Sequence, residues 1–180
     1  MLPETSHRVH SFDPLSAADA RLLILGSMPG KASLRAGQYY AHPRNAYWQI
    51  IQALFGIAAD LPYQQRCTRL VEQKIALWDV LKTCSRSTSL DSDIVESSII
   101  ANEFPVFFAA HPQIETVYFN GAMAEKSFER YVVPSLRGAA AVIPRVRLPS
   151  TSPANAGLSF AQKLIHWKTI VRGQVRSEAQ

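Results

Sequence analysis

Four short apolar runs, residues 21–25, 74–78, 115–119 and 142–148, alternate along this chain with segments of helical periodicity, and each gives way to a polar stretch at its C-terminal end. Each run reads as a parallel strand. Residues 45–55 set Tyr47, Trp48, Ile51, Leu54 and Phe55 at helical spacing, with Gly56 as a stop. Further helices are expected over 63–72, over 102–110 with Asn102 as N-cap and Pro105 tolerated in the first turn, and over 121–131 ahead of Pro134. A last helix over 158–171 is expected to bury Leu158, Ala161, Leu164, Ile165 and Trp167. Strand and helix in alternation imply right-handed crossovers, so the pattern predicts an α/β fold: a three-layer α/β/α sandwich around a central four-stranded parallel sheet.

Length and composition narrow the class. At 180 residues and 47% hydrophobic, the chain suits one domain spanning 1–180, with a core of about 20–172 between short polar termini, the tail at 172–180 frayed. Residues 1–7 hold neither a basic region nor an apolar stretch, so no signal peptide is expected, and no run approaches a membrane span. Cys67 and Cys84 could form one bridge, but a lone pair without a secretion signal fits two reduced thiols in a cytoplasmic protein. Two cysteines cannot hold an iron-sulfur cluster. His7, His10, His42, His111 and His166 show no paired spacing, so no metal and no other cofactor is expected. A net charge of +5 points mildly to a polyanionic partner.

The polar strand ends, 26–30, 79–91, 120–121 and 148–155, fall on one edge of the predicted sheet, where open α/β folds bind ligands. The first is Gly26-Ser27-Met28-Pro29-Gly30, followed by Gln38-Tyr39-Tyr40-Ala41-His42-Pro43-Arg44-Asn45-Ala46-Tyr47-Trp48. Its two glycines let the backbone come close to a ligand. Neither GxxxxGK[ST] nor GxGxxG is present, which disfavours nucleoside triphosphate chemistry.

Residues 26–48 resemble the first motif of the uracil-DNA glycosylase superfamily, particularly its mismatch-specific and thymine-DNA glycosylase branch. Leu148-Pro149-Ser150-Thr151-Ser152-Pro153-Ala154-Asn155-Ala156 resembles the second motif of that branch, a Pro-Ser-rich loop that enters the minor groove beside the lesion. The likeness runs from Leu22 to Trp167 and is strongest to the hypoxanthine-DNA (deoxyinosine) glycosylases. The Tyr-Tyr-Ala-His-Pro-Arg-Asn run carries it, with Leu77-Trp78-Asp79-Val80-Leu81, Cys84-Ser85-Arg86 and Ser89-Leu90-Asp91. Two positions depart. Met28 stands where the uracil and thymine enzymes keep a water-activating Asn or Asp, and Ala154 where the thymine enzyme has an arginine filling the gap left by the flipped nucleotide. That filling would fall to Asn155 or another residue.

The resemblance implies that Asn45 is catalytic, its amide orienting water toward C1′ of the deoxyribose; before an apolar helix, Asn is equally a good N-cap. It implies that Tyr40, rather than Tyr39, stacks on the extruded base, a sequence-tolerant contact of about 1–3 kcal/mol. Packing under the loop is the other role open to Tyr40. Asp79 matches a base-reading position, where a carboxylate accepts the N1–H that hypoxanthine has and adenine lacks. Guanine and uracil offer equivalent donors, so pocket shape must exclude the 2-amino group of guanine, and uracil stays open as a substrate. Capping of the following turn, or a pair with Arg86, is the alternative for Asp79.

Ser27, Met28 and Asn120 complete the expected base-binding set. Gly26, Pro29, Gly30, His42, Ser85, Arg86 and Asp91 are expected to support the pocket. Ser85, Arg86, Ser89 and Asp91 are read as a polar loop, in which Arg86 pairs with Asp79 or Asp91 or reaches DNA. Ser150, Thr151, Ser152 and Asn155, with Lys31 and Arg44, are expected to contact DNA. Arg35, Arg137, Arg145, Arg147, Lys163 and Lys168 are placed near the same edge. The function implied is hydrolysis of deoxyinosine in double-stranded DNA by a monomeric, monofunctional glycosylase, since no lysine stands as a nucleophile. The rivals are a uracil or thymine mismatch enzyme, which Met28 disfavours, and a catalytically silent DNA-binding module of the same fold.

Overall fold

The computed structural model describes residues 7–171; the tail expected at 172–180 lies outside the described residues. The chain runs through β1 (His7–His10), β2 (Leu22–Gly26), α1 (Lys31–Ala36), α2 (Tyr47–Phe55) and α3 (Tyr63–Glu72) to β3 (Ile75–Asp79), β4 (Leu81–Arg86) and β5 (Ile94–Ala101). Then come α4 (Phe104–Ala110), β6 (Thr116–Asn120), α5 (Ala122–Tyr131), β7 (Arg145–Leu148) and α6 (Phe160–Trp167). The four expected strands form one parallel sheet in the order β3-β2-β6-β7.

Strand side chains point alternately to the two faces, and both faces of this sheet are dry. Leu23 and Leu25 of β2 join Trp78, Phe119 and the α4 and α5 rings Phe104, Phe107 and Phe128 in one core. Leu22 and Ile24 turn the other way, onto Tyr47, Trp48 and Ile51 of α2, Leu70 of α3 and Trp167 of α6. Each fully buried Leu or Ile contributes about 1.5–3 kcal/mol of transfer free energy. The result is the expected three-layer α/β/α sandwich.

A second sheet was not expected. Residues 79–91 are not a polar loop: β4 pairs antiparallel with β1 on one side and β5 on the other, and the sheet packs Val9, Leu81, Cys84 and Ile99 on the first core. Register shifts interrupt the β4–β5 ladder, and β5 exposes Val95 and Ile100 while burying little, so neither strand carries a clean period of two. β7 begins only at Arg145, because residues 138–142 make a 3₁₀ turn and Pro144 cannot donate to a ladder.

Two helix ends also differ. Asn102 does not cap α4, whose N-cap is Glu103; its side-chain amide donates to the Asp79 carbonyl at 2.8 Å and to Ser11 Oγ at 3.3 Å. That ties the end of β3 in place. α6 opens at Phe160 with a capping box between Ser159 and Gln162, which turns Lys163 and Trp167 inward and leaves Ala161 and Ile165 in solvent, Ile165 at 66% exposure. Trp167 Nε1 donates to the Pro149 carbonyl at 2.9 Å, so this helix holds the second motif against the sheet.

Candidate active site

The C-terminal ends of the parallel strands surround a cavity of about 630 Å³. Its floor is the first turn. Gly26 ends β2 in register with Asp79 of β3, and a Cβ at Gly26 would stand 2.5 Å from Asp79 Oδ1 and 3.0 Å from the Tyr40 hydroxyl. Only glycine permits that approach. The following turn is fixed by Val80 N–H donating to the Gly26 carbonyl at 2.8 Å and Leu81 N–H to the Ser27 carbonyl at 3.1 Å. Arg86, 2% exposed, lies beneath it and donates from Nη2 to the Pro29 carbonyl. The Ser27 hydroxyl donates to Asp91 Oδ1 at 2.7 Å.

Asp79 is 3% exposed, and its Oδ2 has no donor among the described residues. Burial first, then the charge of Asp91, pushes its carboxyl up to about 7, and Arg86 pulls the other way. Burial raises Asp91 too, offset by the Ser27 hydrogen bond and by Arg86.

Tyr40 forms the side of the cavity. Its φ of 55° is left-handed, a conformation that costs a non-glycine residue roughly 1 kcal/mol or more and tends to persist at binding sites. The ring stacks on Tyr47 with centroids 4.2 Å apart. Its hydroxyl is buried beside the Asn120 side chain, and burial and the Asp79 charge, against the pull of Asn120, hold it protonated far above the usual phenol range. Tyr39, though it also borders the cavity, is a core residue: its hydroxyl donates to the Asp13 carbonyl at 3.0 Å and its carbonyl accepts from Trp48 Nε1 at 2.9 Å.

Asn45 lies on the cavity wall and also serves the helix: Oδ1 accepts from Tyr47 N–H at 3.0 Å. Asn45 is not the N-cap of α2, which is Ala46, but stands one residue earlier and bonds the first helical N–H while facing the cavity. His42, Met28, Pro29 and Gly30 line the same space, Met28 being buried into the core. Nδ1 of His42 accepts from Arg44 N–H at 3.1 Å.

The rim is the loop 149–155. Asn120, at the end of β6, donates from Nδ2 to Thr151 Oγ1 and accepts from Thr151 N–H through Oδ1, both at 2.9 Å. Ser150 and Ser152 accept from backbone N–H groups two residues on, and Asn155 Nδ2 donates to the Ser150 carbonyl at 3.1 Å. Gly121, at φ 100°, packs under Ser150, where a Cβ would come within 3.0 Å of the serine Cβ.

Several expected placements change. Thr151 is 1% exposed and faces Asn120, so its hydroxyl does not front DNA. Ser85 sits within β4, where its N–H donates to Ser98 Oγ at 2.7 Å, and is absent from the cavity wall. Arg86 supports the turn from below instead of lining the pocket or reaching DNA. Arg145 opens β7 at the far end of the sheet and pairs with Glu129 at 2.8 Å, while Arg147 pairs with Glu125 at 3.3 Å. Lys163 is buried, its Nζ donating to the Ser152 carbonyl at 3.4 Å. Lys31 remains exposed and lines the cavity, its Nζ donating to the Ser87 carbonyl at 2.9 Å; Arg44 is exposed beside it, outside the lining.

Sequence reasoning passed over three contributors. Tyr47 reads as a core residue of α2, and its stacking under Tyr40 carries no sequence signal. Ser33 Oγ accepts from Ala41 N–H at 3.1 Å and so pins the tyrosine loop. Asn102 anchors the Asp79 backbone although an Asn before an apolar helix reads as a cap.

The profile of the uracil DNA glycosylase superfamily matches residues 13–169. A hypoxanthine DNA glycosylase of Methanosarcina barkeri is 37% identical over 111 residues, 61% of this chain and 69% of its own length. Another of that name, from Methanosarcina acetivorans, is 34% identical over 155 residues, 86% of this chain and 92% of its own. A solution NMR structure of a Methanosarcina acetivorans protein, provisionally titled a uracil DNA glycosylase, superposes with a TM-score of 0.77 at 31% identity, covering 93% of this chain and 99% of its own. With its parallel sheet, its cavity at the strand ends and this breadth of match, the chain belongs to the uracil DNA glycosylase superfamily.

Proposed function

We infer that this chain is a DNA repair glycosylase that hydrolyses the N-glycosidic bond of deoxyinosine, releasing hypoxanthine and leaving an abasic site. The observation that carries the reading is the meeting of Tyr40, Asn45 and Asp79 on one cavity, in a chain whose matched relatives are named hypoxanthine DNA glycosylases. A duplex buries C1′ and the base edge, so the nucleotide must first swing out of the stack, at less cost from a wobble pair. Its purine then lies against the Tyr40 ring, and Asp79 accepts the N1–H that adenine lacks.

Asn45 holds the attacking water. Its Oδ1 retains a second lone pair beside the one given to Tyr47 N–H, and its amide protons remain to orient the water. The C1′–N9 bond breaks with its electron pair passing to the base, the sugar gains oxocarbenium character, and the water oxygen bonds to C1′. The proton released by that water ends on the departing base. Lys31, which lines the cavity, is tied to the Ser87 carbonyl, and this supports a monofunctional reaction that leaves the strand intact. It acts as a monomer on double-stranded DNA inside the cell, with Ser150, Ser152, Asn155, Lys31 and Arg44 bordering the backbone on either side of the lesion.

The test is base release from duplexes carrying inosine, uracil or a thymine mispair, with alkaline cleavage revealing abasic sites. Asn45→Ala is expected to lower hypoxanthine release by about 10²–10³-fold. Its fold should survive, because losing the one hydrogen bond to Tyr47 N–H costs about 1 kcal/mol. Release within a few-fold of wild type overturns the assignment of Asn45, and a borohydride-trapped adduct overturns the monofunctional mechanism. Uracil presents N3–H to the same Asp79 oxygen, and the panel separates that second substrate from the first.

A further inference from the structure

Four ionisable groups face Asp79: Asp91 on the turn after β4, Arg86 on β4, and Tyr39 and Tyr40 on the loop ahead of α2. Of these, only Arg86 is a cation, and although its charge pulls on Asp79 its hydrogen bond goes elsewhere. Its Nη2 donates to the Pro29 carbonyl, while Nε and Nη1 are buried without a hydrogen-bond partner among the described residues. Asp79 lines the cavity, and its Oδ2 receives no hydrogen bond from the described residues. A second carboxyl, Asp91, is fixed close by through Ser27. An undonated carboxylate oxygen held out of water is disfavoured against the neutral acid by several kcal/mol, and a neighbouring anion adds to this.

We propose that Asp79 reads the extruded base as a neutral carboxylic acid, its C=O accepting N1–H and its O–H donating to O6 of hypoxanthine, and that Asp91 is the positioning residue that keeps it so. This rests on the reading of the site as a deoxyinosine glycosylase. An acid presents one acceptor and one donor side by side, the complement of the N1–H and O6 edge. A carboxylate presents two acceptors, the complement of the N1–H and 2-amino edge of guanine. Holding the proton therefore adds a donor for O6 beside the acceptor for N1–H, an edge that hypoxanthine shares with guanine, and pocket shape is left to exclude the 2-amino group. It also sets an O–H against O6, where negative charge gathers as the C1′–N9 electron pair enters the purine; the proton stays on the carboxyl throughout. With the acid lifted to about 7, the reading form is present below neutrality and is lost above it.

The experiment is the pH dependence of single-turnover hypoxanthine release by wild type, Asp79→Asn, Asp79→Ala and Asp91→Asn, with thermal melts as the folding control and an NMR titration of the Asp79 carboxyl carbon in the free wild type. Asparagine offers an N–H and a C=O where the acid offers an O–H and a C=O. Asp79→Asn is therefore expected to lose up to about tenfold below neutrality and to lack the alkaline fall, while Asp79→Ala loses about 10²-fold or more at every pH. Asp91→Asn is expected to move the alkaline limb down by about one pH unit, since the anion that raises Asp79 is gone. A carboxyl resonance titrating near neutrality supports the proposal. A folded Asp79→Asn as inactive as Asp79→Ala, an unmoved limb in Asp91→Asn, or a resonance titrating near about 4 overturns it, and continued release by wild type then leaves the glycosylase reading standing. A wild type that releases no base from any duplex removes both. Should Asp79→Asn fail to fold, the resonance and the Asp91→Asn limb decide.

Discussion

At the rim of the cavity, Asn120 and Thr151 exchange two hydrogen bonds of 2.9 Å, and Ser150, Ser152 and Asn155 are each bonded within their own loop. On the floor, Asp79 Oδ2 is buried with no hydrogen-bond partner among the described residues, and the Tyr40 hydroxyl is buried with only the Asn120 side chain beside it. Buried polar groups in folded proteins are nearly always paired, and leaving one unpaired costs about 1–3 kcal/mol. The rim is finished on its own, whereas the floor is completed only when something polar enters it. Reaction and base selection therefore belong to the floor, and the rim supplies a stiff wall for the extruded nucleotide.

Gly26→Ala breaks this contrast most sharply. Its Cβ would stand 2.5 Å from Asp79 Oδ1, so the short, buried carboxyl must swing off its position. Release of hypoxanthine is expected to fall by about 10³-fold, because a displaced group loses the near-attack geometry that it helps to define. The accompanying loss of stability is only about 1–3 kcal/mol. Single-turnover kinetics on a folded variant measure this, and a loss under tenfold would place base reading somewhere other than the floor.

The second effect is on stability. An unfolded Asp79 titrates near its ordinary 3.8 and the folded one near 7, so between those values the folded chain holds a proton that the unfolded chain has released. Its contribution to stability is complete below the lower value and is lost as pH rises to the higher one, by about 4 kcal/mol in all. Urea unfolding of wild type and Asp79→Asn at about pH 4 and about pH 7.5 should show wild type losing that amount relative to the variant. Parallel pH profiles would mean that Asp79 is not strained by its surroundings.

The unequal visibility of these regions in the sequence has the same physical root. The strands β2, β3 and β6 are dry on both faces, so burial dictates unbroken apolar runs such as Leu22-Leu23-Ile24-Leu25, and the sandwich follows from them. β4 and β5 are held largely by backbone bonds and bury side chains on one face, with Glu96, Ser97 and Ser98 interrupting the pattern; nothing in Lys82-Thr83-Cys84-Ser85 demands a strand. At the site, Asn45, Tyr40 and Asp79 stand out because a polar or aromatic residue directly after a buried strand or before an apolar helix needs a reason. Arg86 under the Pro29 carbonyl and Asn102 on the Asp79 backbone do not, since each contact spans residues far apart in the chain. Thr151 misled for a related reason: a hydroxyl in a Ser-Pro loop looks exposed until Asn120 is seen to claim it.

Asn120→Ala sharpens the comparison from the rim side. It removes both bonds to Thr151 and strands a buried N–H, so the expected loss is about 1–3 kcal/mol of stability. Release should fall only several-fold, because Asp79 and Asn45 keep their places and the floor loses only the Asn120 contact beside the Tyr40 hydroxyl. A loss of activity matching that of Gly26→Ala, at unchanged stability, would make the rim a reacting surface.

The smallest effect separates a buried cation from an exposed one. Lys163 is 5% exposed, its Nζ makes one bond of 3.4 Å to the Ser152 carbonyl, and burial lowers its pKa. Arg44 stands in solvent beside the cavity. Each phosphate neutralised by a cation contributes about 0.9 to the slope of log affinity against log salt on duplex DNA. Arg44→Ala should therefore flatten that slope by about one, whereas Lys163→Met, which fills the same volume without the charge, should leave the slope alone and change stability by less than about 1 kcal/mol. Titration of a fluorescent inosine duplex at several salt concentrations reads both. An equal flattening in the two variants would bring Lys163 out to the phosphates and make the rim part of the electrostatic footprint, which its self-contained hydrogen bonding argues against.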